Sequence, residues 1–423
     1  MAVNVLVIGS GGREHALCAG LHSSPSIGSL YCSPGNAGTS VLGENVSLDI
    51  SNHEGLIDFC KVNDVGLVVV GPEAPLCDGI SDSLMEAGIL SFGPESYLAN
   101  LEGSKAFAKE IMQKAGVPTA EVIRLDSNSD IDAELEKLSD NPWVIKRDVL
   151  AGGKGVVVTE DKSEAVEFIH DSIASDGYVL LESFLDGEEA SMLVVMDGNS
   201  YLCLPASQDH KRVGEGDIGL NTGGMGAYCP APIVTNEVQS RIESMIVKPM
   251  HDYFSNLETP YRGVLYVGLM IDSAGLPSVV EFNVRFGDPE CQVTIPLIDC
   301  DLVALLMSAC QDKLSDVDVS FHPQSAICVV LASEGYPASP VKGRVVSGLE
   351  AGFGMPGASS TWVNPAGLKI DDSGQHIASG GRVLTCTSME KTLTEARDSA
   401  YEKMRSLELE GGHYRTDIGH RAL

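Results

Sequence analysis

Hydrophobic and polar positions alternate along the first hundred residues in a way that predicts short strands separated by helices. Apolar runs at Val5 to Ile8, Leu30 to Cys32 and Leu67 to Val70 read as strands, and helical patterns begin near Arg13 and cover Leu56 to Val62. Such alternation is the signature of βαβ units built around a parallel sheet. Gly71-Pro72, Pro75 and Gly93-Pro94 punctuate the strand ends, where ligands of open α/β sheets bind.

Beyond residue 100 the pattern is less regular. Ser104 is placed to cap a helix carrying Phe107 and Ile111 on one face, with Gly116 and Pro118 ending it. Strands are expected at Trp143 to Lys146, Val156 to Thr159, Tyr178 to Glu182, Ser191 to Met196, Tyr201 to Leu204, Gly263 to Ile271 and Ser278 to Asn283. Helices are expected around Val166, Ile169 and Ile173 and through Val238 to Val247. This irregular mixture predicts α+β architecture. The last hundred residues carry short β runs (Ala326 to Leu331, Arg382 to Cys386) and a final helix with Leu393, Ala396, Ala400, Met404 and Leu407 on one stripe. Three domains are expected: an N-terminal substrate-binding α/β domain over 1–101, a central domain over 102–322, and a C-terminal β-rich domain over 323–423.

Charge narrows the function. Lys and Arg number 28 against 59 Asp and Glu, a formal charge of −31. That excludes general binding to nucleic acid or anionic membranes, which needs a basic face, but leaves small phosphorylated substrates open. The eleven Cys include no CxxC pair, which favours free thiols in a reducing cytoplasm over disulfides or zinc. MAVNVLVIGSGG passes from an apolar run straight into glycines and reads as a first strand, not a signal peptide. No apolar run approaches the roughly 18 residues of a membrane span.

Several segments carry candidate chemistry. Gly9-Ser10-Gly11-Gly12-Arg13-Glu14 follows a strand and opens a helix, so its amides are placed for a phosphate, although a glycine turn needed only for packing reads the same way. Glu14 stands where a dinucleotide fingerprint has Gly or Ala, and Cys32-Ser33-Pro34 offers no acid for a ribose, so a phosphate-bearing substrate is favoured over NAD. Lys146 to Gly155, with Ala151, Gly152, Gly153 and Lys154, is either a loop closing over a polyphosphate or a plain hairpin turn. Glu281 and Asn283, two apart on a strand end, share a face and offer hard oxygen ligands suited to Mg²⁺. Lys211-Arg212 before Asn221-Thr222-Gly223-Gly224 is either a local cationic spot or a solvated loop, and Arg382 either faces the site or packs.

Together these segments resemble the glycinamide ribonucleotide synthetases, ATP-grasp ligases of purine synthesis. The resemblance is carried by GSGGREHAL (9–17), PGNAGT (34–39), VGPEAPL (70–76), LEGSKAF (101–107), AGGKGV (151–156), ESFLDGEEAS (182–191), SQDHKRVG (207–214), NTGGMGAY (221–228), EFNVRFGDPE (281–290) and GGRVL (380–384). It implies a Rossmann-like pre-ATP-grasp N-terminal domain, a central ATP-grasp fold and a C-terminal β-rich domain. It also implies the reaction: ATP phosphorylates glycine, and the amine of 5-phosphoribosylamine attacks the glycyl phosphate. By the same resemblance, Lys105 and Lys146 reach ATP phosphates under the loop Ala151 to Gly155, and Glu182, Phe184 and Leu185 hold adenine. Glu189 is implied for the ribose, with Glu188 second, and Glu281 and Asn283 for Mg²⁺ or Mn²⁺. Lys146, Arg285 and Asp217 are the implied catalytic groups. Gly11, Gly12, Glu14, Asn36 and Glu73 are implied for phosphoribosylamine, with Asp217, Asn221, Thr222, Gly223, Gly224 and Arg285 facing the substrates. Where the family reads KADGLAAGKGV, this chain has Arg147, Val149 and Gly152, and Gly268 stands thirteen residues before Glu281, where many ATP-grasp enzymes carry Asp. A monomer or weak homodimer is expected.

Overall fold

Val5, Val7, Leu67 and Val69 point to one side of a sheet while Leu6, Ile8, Val68 and Val70 point to the other, and all eight are buried. Strands covered on both faces read as continuous apolar runs, which is why this part of the chain was legible as parallel β structure. In the computed structural model, which describes residues 2–150, 155–350 and 352–423, β1 (Val3–Gly9), β2 (Ile27–Pro34), β3 (Glu44–Asn45), β4 (Val65–Val70) and β5 (Leu90–Phe92) form that sheet in the order β3-β2-β1-β4-β5. All its pairings are parallel.

The central region holds two sheets. The smaller joins β6 (Val122–Asp126), β7 (Trp143–Lys146), β8 (Val156–Thr159) and β9 (Tyr178–Glu182) in the order β6-β9-β7-β8. With the helix Lys162–Asp176 it encloses its own core of Leu125, Ile145, Ile169, Val179 and Leu181. The larger joins β10 (Glu188–Met196) and β11 (Tyr201–Cys203) to the later strands Gly263–Ile271 and Pro277–Asn283. Met192, Val194, Leu265 and Val267 pack in one core with Leu6 and Ile8, so the N-terminal sheet and the larger central sheet share their interior.

β12 (Gln208–Asp209), the hairpin β13 (Arg212–Gly214) and β14 (Ile218–Asn221), and β15 (Gly226–Cys229) follow. β12 and β15 then extend a sheet with Ser325–Ala332, Arg382–Glu390 and Thr361–Pro365, which the final helix Leu393–Arg405 covers. The C-terminal sheet thus borrows strands from the middle of the chain. Every strand and helix expected from the periodicity is present within a few residues. One differs in form: the helix expected to run to Val247 is α only over Asn236–Ile242, passes through a π turn at Glu243–Val247 and continues as Lys248–Ser255. Pro249 has no N–H for the ladder, and the wider turn lets the chain pass it. Among the described residues no helix is long and apolar enough to cross a membrane.

Candidate active site

The glycine turn after β1 is built around Glu14. Its carboxylate accepts hydrogen bonds from the Gly11 N–H at 2.5 Å and Arg13 Nε at 2.6 Å, and the side chain is 2 % exposed. A Cβ at Gly71 would lie 2.0 Å from Glu14 Oε1, and one at Gly9, which has φ +128°, would lie 2.5 Å from Glu14 Cδ, so both glycines make room for this buttress. Glu14 therefore shapes the turn from beneath, its carboxylate engaged with Gly11 and Arg13. Asn36 is also fully employed: its amide donates to Ser10 and Pro365 carbonyls at 2.9 Å each, and its oxygen accepts from Gly38 and Thr39 N–H groups. It ties the first domain to the last.

Above the turn lies a cavity of about 630 Å³ lined by Ser10, Gly11, Asn36, Asp288, Lys369 and Arg382 among others. The helix Gly12–His22 points its N-terminus here, and Gly12 leaves the space into which Gln292 Nε2 fits. The dipole of a helix start favours an anion, and here the Glu14 and Asp288 carboxylates already take the Gly11 and Arg13 N–H groups. Arg382 donates to the Gly223 carbonyl at 2.5 Å and the Asp288 carbonyl at 2.7 Å and pairs with the Asp288 carboxylate at 3.3 Å, so it faces the site. Gly224, at φ +106°, lies against Pro289, and Thr222 closes the loop by donating to the Lys211 carbonyl at 2.9 Å and accepting from the Gly224 N–H at 2.9 Å.

A second group gathers at the ends of β7 and β9. Glu182, 2 % exposed, is bridged by Lys146 at 2.9 Å and Lys109 at 3.0 Å, all through one oxygen. Its other oxygen is buried without a partner among the described residues, an acceptor left over for a donor from a ligand. Lys105 opens the helix Lys105–Ala115, capped by Ser104 as expected. Burial holds the Lys105 ammonium below its ordinary range, while Glu281 and Asp148 pull it back up. Asp148 pins this helix start, accepting from Ser104 Oγ at 2.9 Å and from the Lys105 N–H and Tyr178 hydroxyl. Arg147, one of the unusual residues here, pairs with Asp176 at 2.6 Å. Ala151, Gly152, Gly153 and Lys154 lie outside the described residues, while Gly155 accepts the Arg147 N–H at 2.8 Å. Phe184 is exposed and Leu185 half-buried on the turn after Glu182.

The strand Pro277–Asn283 and its continuation to Glu290 join the two groups. Burial works against ionisation of Glu281, yet Lys211, Lys146, Lys105 and Arg285 together hold its carboxyl below the usual glutamate range. Asn283 shares its face and accepts from Arg285 at 3.3 Å. Opposite Glu281 in register stands Gly268, where a Cβ would come within 3.2 Å of Glu281 Cγ. Among the described residues no cluster of three acidic, His or Cys side chains is set to hold a metal. Two oxygen donors amid four cations fit a hard divalent ion that shares its shell with phosphate oxygens. Arg285 is clamped by Glu102 at 2.6 Å and Glu73 at 3.5 Å, so Glu73 reaches the site through this arginine.

Glu189 meets Lys211 at 3.1 Å, and Glu188 accepts from Gln208 at 2.8 Å. Beneath Lys211 lies Asp209, pushed up to about 8 by burial and by Glu290, Glu189 and Glu281, with Lys211 opposing. Glu290, also raised by burial, accepts from Tyr266 at 3.1 Å. Asp209, Glu102 and Lys369 were not singled out from sequence for a role, and Glu290 only as part of EFNVRFGDPE. Asp217 is held by two arginines of the C-terminal segment. Its two oxygens accept from Arg415 at 2.8 Å and Arg421 at 2.6 Å, turning it toward the C-terminal segment.

Family comparison matches residues 3–102 to the phosphoribosylglycinamide synthetase N domain, 103–291 to its ATP-grasp (A) domain and 326–421 to its C domain. The chain belongs to the phosphoribosylamine–glycine ligase family. A chloroplastic member from Arabidopsis thaliana is 46% identical over 97% of this chain and 79% of its own length. The Rhodopirellula baltica ligase is 42% identical over 99% of this chain and 98% of its own. The crystal structure of the Thermotoga maritima ligase superposes with a TM-score of 0.83 at 32% identity, covering 98% of this chain and all of that one. The ligase fold expected from the motifs, an N-terminal parallel sheet followed by ATP-grasp and C-terminal domains, is the fold observed.

Proposed function

We propose that this chain joins glycine to 5-phosphoribosylamine with cleavage of ATP to ADP, giving glycinamide ribonucleotide for purine synthesis. The observation that carries the reading is the continuous run from Glu281 through Asn283 and Arg285 to Asp288, which links a cation-ringed carboxylate to an anion-ready cavity. Lys105 and Lys146 take the ATP phosphates. The unpartnered oxygen of Glu182 and the turn through Phe184 and Leu185 take adenine, and Glu189 exchanges its bond with Lys211 for ribose hydroxyls. Glu281 and Asn283 hold Mg²⁺ or Mn²⁺, which when bound neutralises phosphate charge during transfer.

A glycine carboxylate oxygen attacks the γ-phosphorus, and the bond to the β-γ bridging oxygen breaks to release ADP. Arg285, fixed between two carboxylates, orients the glycine carboxylate and then the acyl phosphate. The amine nitrogen of phosphoribosylamine next attacks the acyl carbon, phosphate leaves, and the amine loses a proton. Gly11, Gly12, Lys369 and Arg382 hold the sugar phosphate over the helix start, bringing amine and acyl carbon together. The eleven unpaired cysteines support a reducing compartment such as the cytoplasm. ADP release should require both glycine and phosphoribosylamine; release indifferent to glycine would refute this assignment.

A further inference from the structure

The hairpin Arg212–Gly214 with Ile218–Asn221 carries Lys211 and the Asn221–Gly224 loop side by side at its open end, yet it has no apolar core of its own. Ile218 and Leu220 are 68% and 59% exposed. What holds it is a set of polar bonds from Arg415 to Arg421. Arg415, 1% exposed, donates to the Arg212 carbonyl at 3.0 Å, to Asp217 at 2.8 Å and to both oxygens of Asp417 at 2.7 Å. Arg421 takes the second oxygen of Asp217 at 2.6 Å. Asp417 accepts the Gly216 N–H at 2.8 Å, Glu215 accepts the Thr416 N–H at 3.2 Å, and Gly419 donates to His210 Nε2 at 3.3 Å, directly before Lys211.

Asp217 itself sits at φ +57°, a conformation costly for a residue with a Cβ and sustained only where its surroundings enforce it. The Lys211 carbonyl accepts the Thr222 N–H at 2.8 Å, so a shift of the hairpin moves the cation and the glycine loop together.

We infer that Arg415 and Arg421 are positioning residues that grip the hairpin through Asp217 and so set Lys211 and the Asn221–Gly224 loop against glycine and phosphoribosylamine. The choice of affected substrates rests on the ligase reading; the grip itself does not.

The test uses the full chain with Asp217→Asn and Arg421→Ala, both at half-buried groups, because Arg415→Ala risks misfolding. The KM for glycine or phosphoribosylamine should rise about tenfold and the KM for ATP, whose ribose residue Glu189 pairs with Lys211, by clearly less, and Arg421→Lys should recover most of the loss. Amide exchange across 212–224 should quicken about tenfold while that of β1 is unchanged. Unaltered exchange in both variants overturns the grip. Quickened exchange without a selective rise in KM overturns its role in substrate binding. If the unaltered chain shows no glycine-dependent ADP release, the ligase reading fails and the exchange result still decides the grip.

Discussion

Glu281 and Lys146 illustrate how differently two charged residues of one site depend on their surroundings. The Glu281 side chain is 41% exposed and its ion pair with Lys211 is long, at 4.0 Å, so Glu281→Ala should lower turnover by about a thousandfold or more while shifting the melting temperature by only a few degrees. Equal losses in both would deny it a metal-binding role. Lys146 is one of two cations on a buried carboxylate, and Lys146→Met leaves Glu182 with Lys109 alone. That change should cost about 3 kcal/mol in urea unfolding, with Lys146→Met/Glu182→Gln recovering part of it. At this scale the sequence displayed residue types but not their partners. The glycine turn was legible, whereas the burial of Glu14 beneath it depends on Gly71, 57 positions away. The raised carboxyl of Asp209 was illegible for the same reason, since its chemistry comes from burial beside Glu290, Glu189 and Glu281.

Single elements were read best where only one face is apolar. The helix Leu393–Arg405 shows its stripe plainly, but Leu302–Cys310 is apolar nearly all round and escaped notice, because it is packed between the N-terminal and central sheets. The small sheet with Lys162–Asp176 encloses its own core, so it should open as a unit. Ile169→Ala should therefore cost about 2 to 4 kcal/mol locally, detected as faster proteolysis between residues 120 and 182 with the C-terminal sheet still protected. The segment around Asp417 should respond to acid. Burial alone would raise this carboxyl, but hydrogen bonds from Arg415 and Gly216 depress it from 3.8 to about 2. Its contribution to stability is thus fully present above the unfolded value and lost as pH falls through the folded one. Amide exchange across 212–224 should quicken between pH 4 and pH 2 ahead of β1.

Across the whole molecule, the three-part organisation was visible in the changing rhythm of strands and helices, and the motif order carried the family. What no local pattern could show is that the parts are interleaved: β12 and β15 join the last sheet, and the first sheet shares its core with the middle one. The charge of −31 also acts at this scale, through mutual repulsion of a folded surface. Raising NaCl from about 0.01 to 0.5 M should increase the melting temperature by several degrees, because screening shortens the reach of that repulsion. A flat response would mean the acids are already locally balanced.

The cavity above the glycine turn has a practical side. Its walls come from Ser10 and Arg382, 372 positions apart, so whatever fills it fastens both ends of the polypeptide at once. A small anionic compound lodged there acts as a rivet, and a thermal-shift screen would find it by the heat tolerance it confers before any assay of turnover is built. Separated halves of the chain would offer such a compound only half a socket.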